Sequence, residues 1–88
     1  MPSDDNIINS ESYQYTLRQS VEKSLHTYFE DLDGHQVFDL YDLVMQQVEI
    51  PLLTSVMAYT KDNQSKAAVL LGLNRGTLRK KLKQYDLL

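Results

Sequence analysis

Cysteine is absent from this 88-residue chain, which excludes a disulfide framework and any thiolate metal site as a source of stability. Long apolar runs are missing as well: no stretch approaches the roughly 20 residues of a membrane-spanning helix. The acidic, polar start from Met1 to Asn9 lacks the basic segment and apolar run of a secretory signal. Together these absences predict a soluble, cytoplasmic protein with no membrane partner. Basic residues are scarce over positions 1 to 60, where only Arg18 and Lys23 stand against ten acids.

What the first sixty residues lack, the remainder holds in excess. Lys61, Lys66, Arg75, Arg79, Lys80, Lys81 and Lys83 face only Asp62 and Asp86, so the two parts carry −8 and +5 within a net charge of −3. A basic end on an acidic body is an electrostatic footprint for a polyanion, because at physiological salt the near field outweighs distant opposite charge. The plainer alternative is a solvated cationic helix face. A chain this short seldom gains more than about 3 to 5 kcal/mol from its own core, so oligomerisation is the expected support.

Helical periodicity organises most of the chain. Residues 1–15 are rich in Asp, Asn and Ser without a sustained period and read as a mobile arm. Thr16 and Gln19 have the spacing of a capping box, and Leu17, Val21, Leu25, Tyr28, Phe29 and Leu32 then form one stripe down a first helix that Gly34 closes. Asp39 is the expected cap of a second helix, with Phe38 stapling onto Leu43. That helix runs to Tyr59 through Pro51, bent near residues 47–51 but unbroken. Its apolar residues, from Leu40 to Tyr59, cover more than one face, and the economical cover for the second is the same helix of a second subunit.

Shorter elements follow a turn at Lys61, Asp62 and Asn63. Gln64 to Leu71 has the length of a two-turn helix with Ala67, Ala68, Leu70 and Leu71 for packing, and Gly72 breaks it. Asn74 can cap a last helix over residues 75–85, which places Leu78, Leu82 and Tyr85 on one face. Two short helices crossing at a steep angle need a small residue at their close approach and a flexible one in the turn. Ala68 and Gly72 supply these, Leu78 plugs the angle, and Leu71 and Leu73 flank the turn on its buried side. This is the pattern of a helix-turn-helix.

The other side of the last helix presents Arg75, Thr77, Arg79, Lys80, Lys81 and Lys83. Arg75 stands in the first turn, where such a helix meets base edges in the major groove, and arginine can grip the O6 and N7 of guanine together. Asn63, Ser65 and Lys66 open the preceding helix, where side chains and free amides can hold a phosphate. Asn63 and Asn74 can equally be simple caps, and the two roles are compatible. Double-stranded DNA is thus the expected partner.

No pattern indicates a cofactor or an enzyme. Asp31, Asp33 and Gly34 begin like a calcium loop, but the later ligands and the closing glutamate are missing, so no metal is expected. His26 and His35 have no catalytic partners at a recognisable spacing and are expected at the surface.

From Leu17 onward the sequence resembles the Fis family (factor for inversion stimulation) of bacterial nucleoid-associated DNA-binding proteins. The carrying residues are Asp39-Leu40-Tyr41, Pro51-Leu52-Leu53, Tyr59-Thr60, Asn63-Gln64 and, most specifically, the run from Gly72 through Asn74-Arg75-Gly76-Thr77 to Lys83. The resemblance implies an all-α protein, a four-helix subunit with an intertwined dimer core and a C-terminal helix-turn-helix. By region it implies an N-terminal arm over 1–15, a dimerisation core over 16–60 and a DNA-binding unit over 61–88. It further implies a homodimeric global transcription regulator of the nucleoid whose closely spaced recognition helices bend DNA and sense minor-groove width by indirect readout. By position, Arg75 would contact a flanking guanine and Asn74 bases near it. Asn63, Ser65, Thr77, Arg79 and Lys80 would engage the backbone, with Lys81 and Lys83 supporting bending at the flanks.

Departures limit what is carried over. Asp62, Lys61 and Ala58 replace the glycine, arginine and glutamine of well-known members in the turn those proteins also offer to RNA polymerase. Asn6 to Ser12 does not reproduce the hairpin that members use on recombinases. Neither partner is therefore implied here, and Gln84 in place of a lysine removes one phosphate contact per subunit. Two other readings stay open: the helix-turn-helix of a sigma-54 activator's terminal domain, and a helical adaptor that binds an acidic protein. The first is set against by the Met1 start and the lack of an ATPase domain. The second predicts a much weaker salt dependence than DNA binding does.

Overall fold

The computed structural model describes residues 10–88, with side chains from Thr16 onward. It holds four helices and, among the described residues, no strand: α1 (Ser10–Leu32), α2 (Leu40–Tyr59), α3 (Gln64–Leu71) and α4 (Arg75–Gln84). The chain divides into two compact units, Met1–Val37 and Phe38–Leu88. All-α architecture with a C-terminal helix-turn-helix is thus as the sequence indicated.

The first unit is α1. Its start at Ser10 rather than at Thr16 corrects the expected capping box, which falls in mid-helix. No glycine or proline lies between Ser10 and Leu32, and a formed helix gains a backbone hydrogen bond for each residue added. Nothing at Thr16 stops it. Of the arm expected over residues 1–15, residues 1–9 lie outside the described residues. Val21, Leu25, Tyr28 and Leu32 of the expected stripe are half-buried, whereas its other two members, Leu17 and Phe29, are exposed. His26 lies exposed 3.3 Å from Glu30, one turn on.

The second unit begins at Phe38. Asp39 precedes α2 as expected, but with φ 59° and no side-chain cap bond; a capping side chain needs the extended conformation. Phe38 is 77% exposed, so no staple buries it. Helix α2 continues through Pro51 without interruption. Its C-terminal third supplies Leu53 and Met57 to a core completed by Ala67 and Ala68 of α3 and Leu78 and Leu82 of α4, with Val56, Leu71, Tyr85 and Leu87 packed around it.

The helix ends of this unit share one device. The amides of Lys61 and Asp62 return to the carbonyls of Ala58 and Met57, those of Gly72 and Leu73 to Val69 and Ala68, and those of Asp86 and Leu87 to Lys83 and Leu82. Each pair is a Schellman closure, which requires a left-handed residue at its hinge. Lys61 (φ 55°), Gly72 (φ 76°) and Asp86 (φ 59°) fill that place. Only Gly72 does so without steric cost, and it is the one between α3 and α4.

Candidate nucleic-acid interface

Leu78 and Leu82 fix which way α4 faces. They are 0% and 1% exposed, sealed against Ala67 and Ala68. With that face buried, Arg75, Arg79, Lys80 and Lys83 emerge exposed on the outer side, and Thr77 is half-buried beside them. Alanine at 67 and 68 lets the two helices approach closely; a larger side chain would push α4 away. Leu70, expected in the packing, is instead 57% exposed, and Val69 is 82% exposed. An eight-residue helix has only one turn-face to bury, and the alanines occupy it.

Both short helices start on an asparagine cap. Asn63 Oδ1 accepts from the Lys66 amide at 3.0 Å, and Asn74 Oδ1 accepts from the Thr77 amide at 2.7 Å. Each cap uses only the oxygen of its side chain and leaves the amide NH2 as a donor. The first backbone amides of each helix have no intrahelical acceptor and add to the positive end of the helix dipole. Ser65 and Lys66 are exposed at the α3 start.

Helix α3 also aims the arginines of α4. Arg75 Nη1 reaches Ser65 Oγ at 3.5 Å, and Arg79 Nη1 donates to Gln64 Oε1 at 3.0 Å. Asn63, Ser65, Lys66, Asn74, Arg75, Thr77, Arg79, Lys80 and Lys83 thus belong to one α3–α4 frame. Gln64, quoted from sequence only for the family resemblance, was not among the expected DNA contacts. Its polar side chain one turn from a buried alanine was the available signal.

Lys81 departs from expectation. It is not offered to solvent with its neighbours: its Nζ donates to Glu49 Oε2 of α2 at 2.8 Å, with only 31% of the lysine side chain exposed. Four residues along a helix return to the same face, so Lys81 lies beside Tyr85 on the flank turned to α2. The Tyr85 hydroxyl donates to Glu49 Oε1 at 2.5 Å. Hydrogen bonds from Lys81 and then Tyr85 hold the Glu49 carboxyl below its ordinary 4.5. The Glu49 hydrogen bond in turn pushes the Tyr85 phenol up to about 12.

Among the described residues no cluster of His, Cys, Asp or Glu could hold a metal ion, and no helix is long and apolar enough to cross a membrane. His35 is exposed and its Nδ1 donates to the Leu32 carbonyl at 2.6 Å.

Comparison with known proteins adds an independent line. Residues 44–85 match the family model described as bacterial regulatory protein, Fis family, and residues 2–37 match that of the DNA-binding protein Fis N-terminal domain. A Fis-like DNA-binding protein of Pseudomonas aeruginosa is 66% identical over 73 residues, 83% of this chain and 70% of the relative. The DNA-binding protein Fis of Actinobacillus succinogenes is 54% identical over 84 residues, 92% of this chain and 84% of the relative. That of Aeromonas hydrophila is 51% identical over 78 residues, covering 89% and 80% of the two chains.

Proposed function

Since this chain belongs to the Fis family of bacterial regulatory proteins, we propose that it is a homodimeric, nucleoid-associated DNA-binding protein that bends its sites and regulates transcription in the bacterial cytoplasm, without enzymatic activity or cofactor. One observation carries the reading: Leu78 and Leu82 turn α4 so that Arg75, Arg79, Lys80 and Lys83 project together from the face opposite the core. A helix of this composition and exposure fits the major groove. Arg75 reads a guanine edge, with Asn74 near it. Asn63, Ser65, Lys66, Thr77, Arg79, Lys80 and Lys83 hold phosphates and so position the helix without reading sequence.

The match over residues 2–37 to a Fis N-terminal domain favours this reading over the terminal domain of a sigma-54 activator. Residues 16–60 would then serve pairing and 61–88 DNA contact, with α2 taking part in both because Leu53 and Met57 also belong to the core under α3 and α4. Two recognition helices held by one paired α2 would meet the DNA at a fixed separation. Sites whose central minor groove narrows at low cost are then preferred at base pairs the protein never touches.

Salt titration tests the groove-bound dimer. With about 4 to 6 phosphates neutralised per subunit, log affinity should fall against log salt with a slope of about −7 to −11. A slope shallower than about −3 would instead favour the adaptor that binds an acidic protein.

A further inference from the structure

Glu49 lies on α2, 32 residues before Lys81 and 36 before Tyr85. Both of its carboxylate oxygens are engaged, Oε2 by the Lys81 ammonium at 2.8 Å and Oε1 by the Tyr85 hydroxyl at 2.5 Å. The pair is partly buried, with 31% of the Lys81 and 24% of the Glu49 side chain exposed. Lys81 stands in the last turn of α4 and Tyr85 is the residue that closes it, so the contact has two points along the helix axis.

Apolar packing alone leaves a helix some freedom to slide and roll, because dispersion contacts are individually weak and not directional. A two-point charged contact removes that freedom, since hydrogen bonds weaken steeply with misalignment. Leu78 and Leu82 set the depth of α4 against the core. The Glu49 contact sets its rotation and its position along α2. Tyr85, whose phenol is held well above its ordinary range, stays a proton donor through all physiological pH.

We propose that Glu49 is a positioning residue for DNA recognition, which through Lys81 and Tyr85 fixes the pose of α4 on α2 and thereby the separation of the two recognition helices in the dimer. Lys81 is accordingly a brace and makes no phosphate contact. The proposal rests on α4 being the recognition helix of a paired α2. Its consequence is a division of labour among the lysines of α4: Lys83 supplies affinity to every sequence, and Lys81 supplies discrimination.

The test uses the full-length protein and a random-sequence duplex library, with anisotropy titrations of the selected site against an unrelated duplex at several salt concentrations. Wild type, Glu49→Gln, Tyr85→Phe, Lys81→Met, Lys83→Ala and the charge-swapped pair Glu49→Lys with Lys81→Glu are compared at a temperature where circular dichroism shows each folded. Glu49→Gln should lower the ratio of selected to unrelated affinity about tenfold while leaving the salt slope within one unit of wild type. Tyr85→Phe, which removes one limb and preserves the ring, should give a smaller loss of the same kind. Lys81→Met should keep the slope, whereas Lys83→Ala should flatten it by about 2 per dimer.

Recovery of the ratio in the charge-swapped pair would establish the brace, because a glutamate at 81 would repel any phosphate it faced. The proposal is overturned if Glu49→Gln discriminates as well as wild type. It is equally overturned if Lys81→Met flattens the slope as much as Lys83→Ala, or if Glu49→Gln binds all sequences more tightly by releasing Lys81 to the DNA. A wild type that bound no duplex would remove the recognition-helix reading and the brace with it. A discriminating wild type beside an equally discriminating Glu49→Gln removes the brace alone.

Discussion

Arg75 stands at the first turn of α4, capped by Asn74 and within 3.5 Å of Ser65 on α3. A guanidinium with a hydroxyl beside it on α3 is presented to a base edge at less entropic cost than one on a free helix face. Arg75→Ala should therefore cost about 1 to 3 kcal/mol on a guanine-flanked site and relax the preference there. Competition binding with guanine-substituted duplexes reads both, and unchanged preference would show that α4 docks another way. At the opposite end of the same unit, Lys61 holds a left-handed conformation that a side chain adopts at a cost. Lys61→Gly removes that strain and loses some chain entropy, so thermal stability should rise by up to about 1 kcal/mol, or roughly 4 to 8 °C. A melting temperature that fell would mean the Lys61 side chain supplies a stabilising contact.

Helices α3 and α4 were legible in the sequence because their signals are local. Asn63, Gly72 and Asn74 each act within four residues, and the structure uses all three at the expected ends. The start of α1 was not, since the Thr16 and Gln19 spacing occurs as readily inside a helix as at its end. Asp39 shows the same weakness: the residue type of a cap was present without the backbone conformation that makes one. Glu49 gave no local sign at all, as its partners lie on another element, and the sequence reading set Lys81 on the side of the last helix opposite Tyr85, although their four-residue spacing brings them together.

The link between α2 and α4 also has a pH signature. The folded Glu49 carboxyl is held below its ordinary 4.5, so its contribution is present above that value and is lost as pH falls through the lowered one. Tyr85, raised to about 12, contributes below its ordinary 10 and loses its share as pH climbs through about 12. Glu49→Gln should therefore melt a few degrees below wild type at neutral pH, with the gap closing as the pH falls below the ordinary 4.5 and through the lowered value. A gap that stayed constant through the acid range would mean the carboxylate charge contributes nothing to the packing of α4.

At the scale of the molecule, the buried core among the described residues is small and runs from Leu53 to Leu82. Along α2, Tyr41, Val48, Leu52 and Tyr59 recur at helical spacing and are 75%, 42%, 45% and 79% exposed. A stripe of this length is costly to leave in water, at about 25 cal/mol for each Å² of apolar surface, and a second copy of α2 about a twofold axis would cover it. The melting temperature should then rise with protein concentration, since only the folded state dimerises. Val48→Glu combined with Leu52→Glu puts charge into the stripe and alters neither Leu53 and Met57 of the core nor Glu49 itself. The resulting monomer should retain helicity but bind with about half the salt slope of wild type and, having lost the second recognition helix, at least about 100-fold more weakly. A wild-type protein that sediments as a folded monomer at micromolar concentration, with a concentration-independent melt, would overturn the dimer. It would leave α4 a single-site reader, with no fixed separation for a second recognition helix to impose on the DNA.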